Sequence, residues 1–197
     1  TLTWVAGGMG GGWYTVAGGF ARLVNEKEPN ITIKVIPGGG VANPMALSQG
    51  SADIAWGVGY VDKAAYNGTA PIYKKPFKNI NSFAGTLAVD YYHFLAAKDT
   101  GVTTLEEFVA KVKKGQKVKV AAPMAGTSEL VMWSFVLDHY GVSFDKIKKN
   151  GGTVVQAIYG DMTSLYKDRH VDYAFTCVGL PAAIITEMSL GRPSVLV

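Results

Sequence analysis

Three times along this chain a short apolar run ends in a loop of small residues that opens into a helix-like pattern. The loops are Gly7–Gly12 before Trp13 and Tyr14, Gly38-Gly39-Gly40 before Asn43-Pro44, and Pro123–Ser128 before Glu129. Strands that repeatedly feed helices through tight connections imply an α/β chain with parallel strands. The periodicity supports this. Thr1–Ala6 reads as a buried strand. Val16, Phe20, Leu23 and Val24 fall at i, i+4, i+7 and i+8, the apolar face of a helix that Pro29-Asn30 ends. Ile31, Ile33 and Val35 alternate as a strand. Asn43 is placed to cap a short helix with Pro44 at its first position and Gly50 after its end. Asp53–Val58 is the next strand, and residues 60–88 read as irregular.

The alternation returns in the second half. Tyr92–Ala97 is a predicted strand. Thr104 and Glu107 form a capping box for a helix over Leu105–Val112. Strands follow at Val118–Ala122, Thr153–Ile158, Val171–Cys177 and Ser194–Val197, with helices at Glu129–Tyr140, Asp161–Asp168 and Pro181–Leu190. Asp53-Ile54-Ala55-Trp56-Gly57 and Asp172-Tyr173-Ala174-Phe175-Thr176 each follow a short helix, so the halves share a plan. The expectation is two α/β lobes, residues 1–88 and 89–197, with a cleft between them. Ligands of open α/β sheets bind outside the carboxyl ends of the strands, where the glycine loops lie.

Composition narrows the function classes. A chain that is 48% hydrophobic and 17% charged is neither disordered nor fibrous. No run of about 18 apolar residues is present to span a bilayer as a helix. The single cysteine, Cys177, excludes an internal disulfide and a multi-cysteine metal site. Net charge is +4, and of 19 basic residues only Arg22, Arg169 and Arg192 are arginine. The densest basic stretch, Lys111 to Lys119, surrounds Gly115 at a helix end, where cations suit the helix dipole. It reads as a solvated surface rather than a nucleic-acid track.

The loops restrict the chemistry. No frame of Gly7–Gly12 gives a dinucleotide fingerprint, because Trp13 and Tyr14 occupy the places needed, and no Lys-Ser or Lys-Thr follows for a P-loop. What remains is backbone that can approach a ligand closely and helix N-termini that favour an anion. His93, His139 and His170 lack metal-ligand spacing. His93 could reach the site, and the other two read as surface residues. There is no Gly-x-Ser-x-Gly elbow, and Cys177 has no basic sequence neighbour to activate it. Asp53 and Asp172 are explained by turn chemistry. Trp13, Tyr14, Trp56, Tyr60, Tyr91 and Tyr92 stand beside the loops and fit the walls of a pocket.

The motifs Gly10-Gly11-Gly12-Trp13-Tyr14, Gly38-Gly39-Gly40-Val41-Ala42-Asn43, Gly50-Ser51-Ala52-Asp53-Ile54-Ala55, Ala125-Gly126-Thr127-Ser128 and Val171-Asp172-Tyr173-Ala174-Phe175 stand in an order that resembles the TAXI family, the solute receptors of TRAP transporters. The resemblance covers nearly the whole chain. It implies a two-lobed type II periplasmic-binding-protein fold, with a mainly parallel sheet flanked by helices in each lobe. It implies a periplasmic or extracytoplasmic location, and no signal peptide is visible in this chain. It also implies capture of a small organic anion or amino acid for the membrane components of a TRAP transporter. No cofactor, metal or nucleic acid is implied.

The ligand-binding positions that the resemblance suggests are Gly11, Gly12, Trp13 and Tyr14; Gly39 and Asn43; Trp56 and Gly57; Ala125, Gly126, Thr127 and Ser128; and Thr176 and Gly179. Tyr60 and Tyr91 join them as aromatics beside the loops. Gly40 stands where a serine is common, and Met124-Ala125-Gly126-Thr127 replaces a Gly-Ser-Gly-Thr-like run. The family runs on beyond the length seen here, so the first lobe is expected to lack its return elements. A small-acid enzyme or an effector-sensing domain would share this fold. The enzyme would need an acid–base pair or nucleophile that the loops do not offer. The sensing domain would need a DNA-binding segment outside this chain.

Overall fold

In the computed structural model, which describes every residue from Thr1 to Val197, the opening apolar run Leu2–Val5 is strand β1. It is central in a parallel three-stranded sheet between β2 (Ile33–Ile36) and β3 (Ile54–Ala55). The register pairs Leu2 with Ile33 and Trp4 with both Val35 and Ile54. Helices α1 (Gly12–Lys27), α2 (Asn43–Ser48) and α3 (Gly59–Asn67) complete this part. It forms one compact unit, Thr1–Ala88, to which the chain later adds Gly126–Ser128.

Two expectations for this unit are corrected. The face that α1 buries is Ala17 and Ala21, with Tyr14 and Val24 partly buried beside them. Val16, Phe20 and Leu23 remain 48%, 47% and 53% exposed. The sheet presents bulky Trp4 and Trp56 to this core. Close packing against indoles leaves room for small residues on the helix side. The second correction is α3, which occupies part of the segment read as irregular. Its buried face is Val61, Ala64 and Ala65, too small to give a strong apolar signal. Tyr73 and Phe77 from the following loop pack on it. Gly68, at φ +68°, ends it in the left-handed region that glycine adopts without strain.

The second unit, Val89–Ala125 with Glu129–Val197, holds a five-stranded sheet in the order β6-β5-β7-β4-β8. The strands are β4 (Tyr91–Ala97), β5 (Lys119–Ala122), β6 (Thr153–Gln156), β7 (Tyr173–Val178) and β8 (Ser194–Leu196). Strand β5 pairs parallel with β6 and β7, but β4 runs antiparallel to β7 and β8. This sheet is therefore mixed, where a mainly parallel one was expected. Helices α4 (Leu105–Lys113), α5 (Ser128–His139), α6 (Phe144–Lys149), α7 (Tyr159–Lys167) and α8 (Ala183–Gly191) flank it. The Thr104–Glu107 capping box on α4 is formed. The sequence reading lacked α6, six residues with Ile147 alone buried.

Each face of this sheet carries a core. One joins Phe94, Phe108, Trp133, Tyr173 and Phe175, and the other Leu95, Met162, Tyr166, Ala174 and Met188. Arg192, 4% exposed, anchors the end of α8. It pairs with Asp99 at 2.9 Å and Asp172 at 3.0 Å and donates to the Val171 carbonyl at 2.9 Å. Asp172, read as a turn residue, thus pairs with the buried Arg192 and, at 3.8 Å, with Lys119. No helix is long and apolar enough to cross a membrane.

Candidate functional site

In the first unit the carboxyl ends of β1 and β2 open into the first two loops that the sequence singles out, and β3 opens into Trp56-Gly57-Val58. Asn43 ties them together. It is fully buried; its side-chain oxygen accepts the Gly39 N–H at 3.0 Å, and its amide donates to the Ala6 and Trp56 carbonyls at 2.8 Å each. The helix begins one residue earlier than expected, with Ala42 at the cap position. That frees the Asn43 side chain to bridge loops rather than cap its own helix. Three backbone groups that would otherwise be orphaned are satisfied by one amide.

The adjacent glycines have separate reasons. A Cβ at Gly38 would meet the Asn43 side chain and the Ala6 carbonyl at 2.9 Å. At Gly39 it would lie 2.7 Å from the Gly126 carbonyl, and at Gly40 2.6 Å from Ser128 Oγ. Gly126-Thr127-Ser128 therefore closes this cluster. The Gly126 carbonyl accepts from the Val41 and Ala42 N–H groups at 3.1 Å each. The Tyr60 hydroxyl donates to the Ser128 carbonyl at 3.0 Å. Thr127 is half-buried beside them. Gly126 has φ +86°, a conformation that a β-branched residue resists. The serine missing at position 40 is matched in space: Ser128 places its hydroxyl where a residue-40 side chain would start.

The first turn of α1 has no side-chain cap, since its N-cap is Gly11, and Gly12 is exposed. Trp13 fixes this turn. Its Cβ sits where only glycine fits at position 7, and its carbonyl accepts from Trp56 Nε1 at 3.0 Å. Trp56 lies 5.3 Å from Trp4 and 6.2 Å from Trp13 between ring centroids. Tyr14 is half-buried against the same core. A helix start whose N-cap, Gly11, offers no side-chain cap, together with the positive end of the helix dipole, suits an anion.

One acidic residue at these loops is absent from the sequence reading. The Asp62 carboxylate, in the first turn of α3, packs directly against Gly57 just after β3, where any Cβ would collide with it. It accepts a hydrogen bond from the Val58 N–H, yet burial pushes its pKa up to about 6. Tyr73, raised to about 12 by burial and by Asp62, points its hydroxyl to the Val41 carbonyl at 2.7 Å. The signal that could have located Asp62 is its place five residues after Gly57, but its segment reads as irregular.

The second unit holds the other expected positions. Ala125 is exposed after β5. Tyr91, about half exposed, faces Val178 across the β4–β7 ladder, and Thr176 faces His93. Thr176 is fully buried; its hydroxyl donates to the His93 carbonyl at 3.3 Å, and its own carbonyl accepts from Trp133 Nε1 at 3.1 Å. Gly179 follows β7, with Asp90 3.7 Å from where its Cβ would be. His93 is buried, with Nε2 3.2 Å from the Val178 carbonyl, while His139 and His170 are exposed. The Cys177 thiol is pushed up to about 12 by burial and by the charges of Glu129 and Asp90. It stays protonated at neutral pH and is a poor nucleophile. The Tyr159 hydroxyl lies 2.7 Å from the Cys177 carbonyl and 3.0 Å from Glu129 Oε1, and burial raises its pKa well above the usual phenol value.

A model of the NMT1-like family matches residues 5–197. No curated protein matches the chain. Among solved structures, it is similar to PhnD1 from Prochlorococcus marinus (MIT 9301) in complex with methylphosphonate, at 13% identity, with TM-score 0.63 over 98% of this chain and 71% of that one. It is similar to an ABC-type phosphate transport receptor from Vibrio cholerae, at 18% identity, with TM-score 0.56 over 99% and 75%. Lactococcal OpuAC complexed with glycine betaine aligns at 15% identity, with TM-score 0.56 over 94% and 67%. These likenesses establish the α/β fold of type II periplasmic binding proteins. The chain spans 57%, 62% and 63% of the length of three other matched periplasmic proteins.

Proposed function

The chain belongs to the NMT1-like family, and from that premise we propose that it is a periplasmic or extracytoplasmic solute receptor. It captures a small organic acid or amino acid and delivers it, as a receptor of the TAXI kind, to the membrane components of a TRAP transporter. The observation that carries this reading is the loop cluster of the first unit. Asn43 holds three strand ends together, glycines bring backbone to the surface, and the α1 first turn stands without a side-chain cap. A ligand carboxylate is seated by Gly11, Gly12 and Trp13, with Tyr14, Gly39, Trp56, Gly57, Tyr60, Gly126, Thr127 and Ser128 forming or shaping the site. The fully buried Asn43 acts by positioning these loops. In the second unit Tyr91, Ala125 and Gly179 stay candidate positions by resemblance, while the fully buried Thr176 acts by holding β7. The names of the similar structures, receptors for phosphate, methylphosphonate and glycine betaine, support a binding role. The protein binds without turnover: His93 and Cys177 are each engaged by neighbours that leave no activated nucleophile.

Native mass spectrometry of the purified chain, followed by calorimetry against organic acids and amino acids, tests the proposal. The expected result is a stoichiometric small-acid complex from which the ligand is recovered unchanged. Steady product formation, or no binding across the panel, overturns it. Ligand-dependent association with TRAP membrane components in detergent tests the delivery step.

A further inference from the structure

We infer that Asp62 is a specificity-determining residue whose carboxylate receives the ammonium group of the solute, so that the ligand is an α-amino acid rather than a plain carboxylic acid. The inference rests on the proposed small-acid site and names its chemistry. Asp62 lies where the loop after β3 enters α3: its carboxylate touches Gly57, accepts the Val58 N–H, and faces Tyr73, whose hydroxyl is committed to Val41. None of the chain's ion pairs includes it.

A half-buried carboxylate without a counter-charge is costly unless something compensates it. A capping-box acid also reaches back to the cap residue's N–H, but such a bond supplies no counter-charge. Asp62 is the fourth residue of α3 and reaches back to the cap residue's own N–H. The absence of a Cβ at Gly57 lets the carboxylate lie against the exposed loop backbone. The same unit thus offers helix N–H donors for a carboxylate and, at neutral pH, one anion for an ammonium. That is the complement of a zwitterion.

The test titrates the full chain, by calorimetry at pH 7.5, with matched pairs: L-glutamate and glutarate, L-leucine and 4-methylpentanoate, L-alanine and propionate. In at least one pair the amino member should bind about 30-fold or more tightly than its deaminated partner, the scale of a desolvated charge pair. Asp62→Asn should collapse that ratio while leaving the affinity for the deaminated acid within about 3-fold, and Asp62→Glu should restore part of it. Wild-type protein that binds both members equally, or prefers the deaminated acid, overturns the inference and leaves the small-acid reading standing. Equal loss of both members in Asp62→Asn also overturns it. Failure of every pair to bind overturns both.

Discussion

The two units spend their residues differently. The second buries large aromatics on both faces of a five-stranded sheet: Phe94, Phe108, Trp133, Tyr173 and Phe175 on one, Tyr166 with aliphatics on the other. The first covers three strands with alanines and leaves Val16, Phe20 and Leu23 of α1 exposed. Its order comes instead from backbone hydrogen bonds gathered by Asn43 and by the Gly126 carbonyl. Stability per residue follows buried apolar area, so the second unit should be the more resistant part. Binding needs exposed, shaped backbone, which the first unit supplies with a thinner core. The lesson is that the proposed site draws on the unit that can least absorb damage to its polar ties.

The sharpest way to break this comparison is to empty the larger core. Phe175 is fully buried, with its ring centroid 4.7 Å from Phe94 and 4.9 Å from Trp133. Phe175→Ala should cost about 3–5 kcal/mol and appear in urea unfolding as a large loss of midpoint. A loss below about 1 kcal/mol would mean that the aromatic core does not carry the second unit.

The matching blow to the first unit is Asn43→Ala. It leaves the Gly39 N–H and the Ala6 and Trp56 carbonyls without their side-chain partner. The expected cost is about 2–3 kcal/mol, confined to the first unit. Hydrogen exchange should rise in β1, β2 and β3 while β5 and β7 stay protected. Uniform deprotection of both sheets would show that the units unfold as one, against the comparison.

Gly126→Val should cost less stability and more function. The site has room, since the nearest atom to a Cβ is Ala42 Cβ at 3.6 Å, but φ +86° is strained for any β-branched residue. A penalty of about 1–3 kcal/mol should displace the carbonyl that holds Val41 and Ala42, and calorimetry should find small-acid binding lost. Gly126→Ala, with a milder strain, should fall between. A valine variant that binds normally would remove this loop from the site.

Much of this contrast was legible in the sequence, and the exceptions share a cause. The strand–loop–helix alternation, the Thr104–Glu107 capping box and the three small-residue loops could be read because each rests on local chemistry. The face of α1 was read only in part: Val24 packs on the core and the half-exposed Phe20 ring lies 6.2 Å from that of Trp4 between centroids, while the buried Ala17 and Ala21 carry little apolar signal. Which of two faces meets a sheet depends on the bulk already there, here Trp4 and Trp56. Asn43 looks like a cap and acts as a bridge, because its partners lie 13 and 37 residues away. The antiparallel β4 and the buried Arg192 pair with Asp99 and Asp172 are likewise long-range facts without a local signature.

The smallest expected effect isolates the one charge that the first unit buries at its loops. The Asp62 pKa is about 6 in the folded chain, against the ordinary aspartate value of about 4 in an unfolded one. Below pH of about 4 both states are protonated, and the carboxyl's favourable contribution is fully present. As pH rises toward 6 the unfolded chain ionises first, so the folded state progressively loses stability, and above about 6 the loss is complete. Tyr73, the titratable group facing Asp62, stays neutral throughout this window with its pKa near 12. Two pKa units would correspond to nearly 3 kcal/mol, but the carboxylate is only partly shielded from water, so about 1 kcal/mol is expected. Asp62→Asn cannot ionise, so it should match wild type at pH 4, gain on it between pH 4 and 6, and remain about 1 kcal/mol more stable at pH 7–8. Urea titrations at four pH values measure this directly. A difference between the two proteins that does not change with pH, or that favours wild type at pH 7.5 without ligand, would mean that Asp62 already has its counter-charge within the chain.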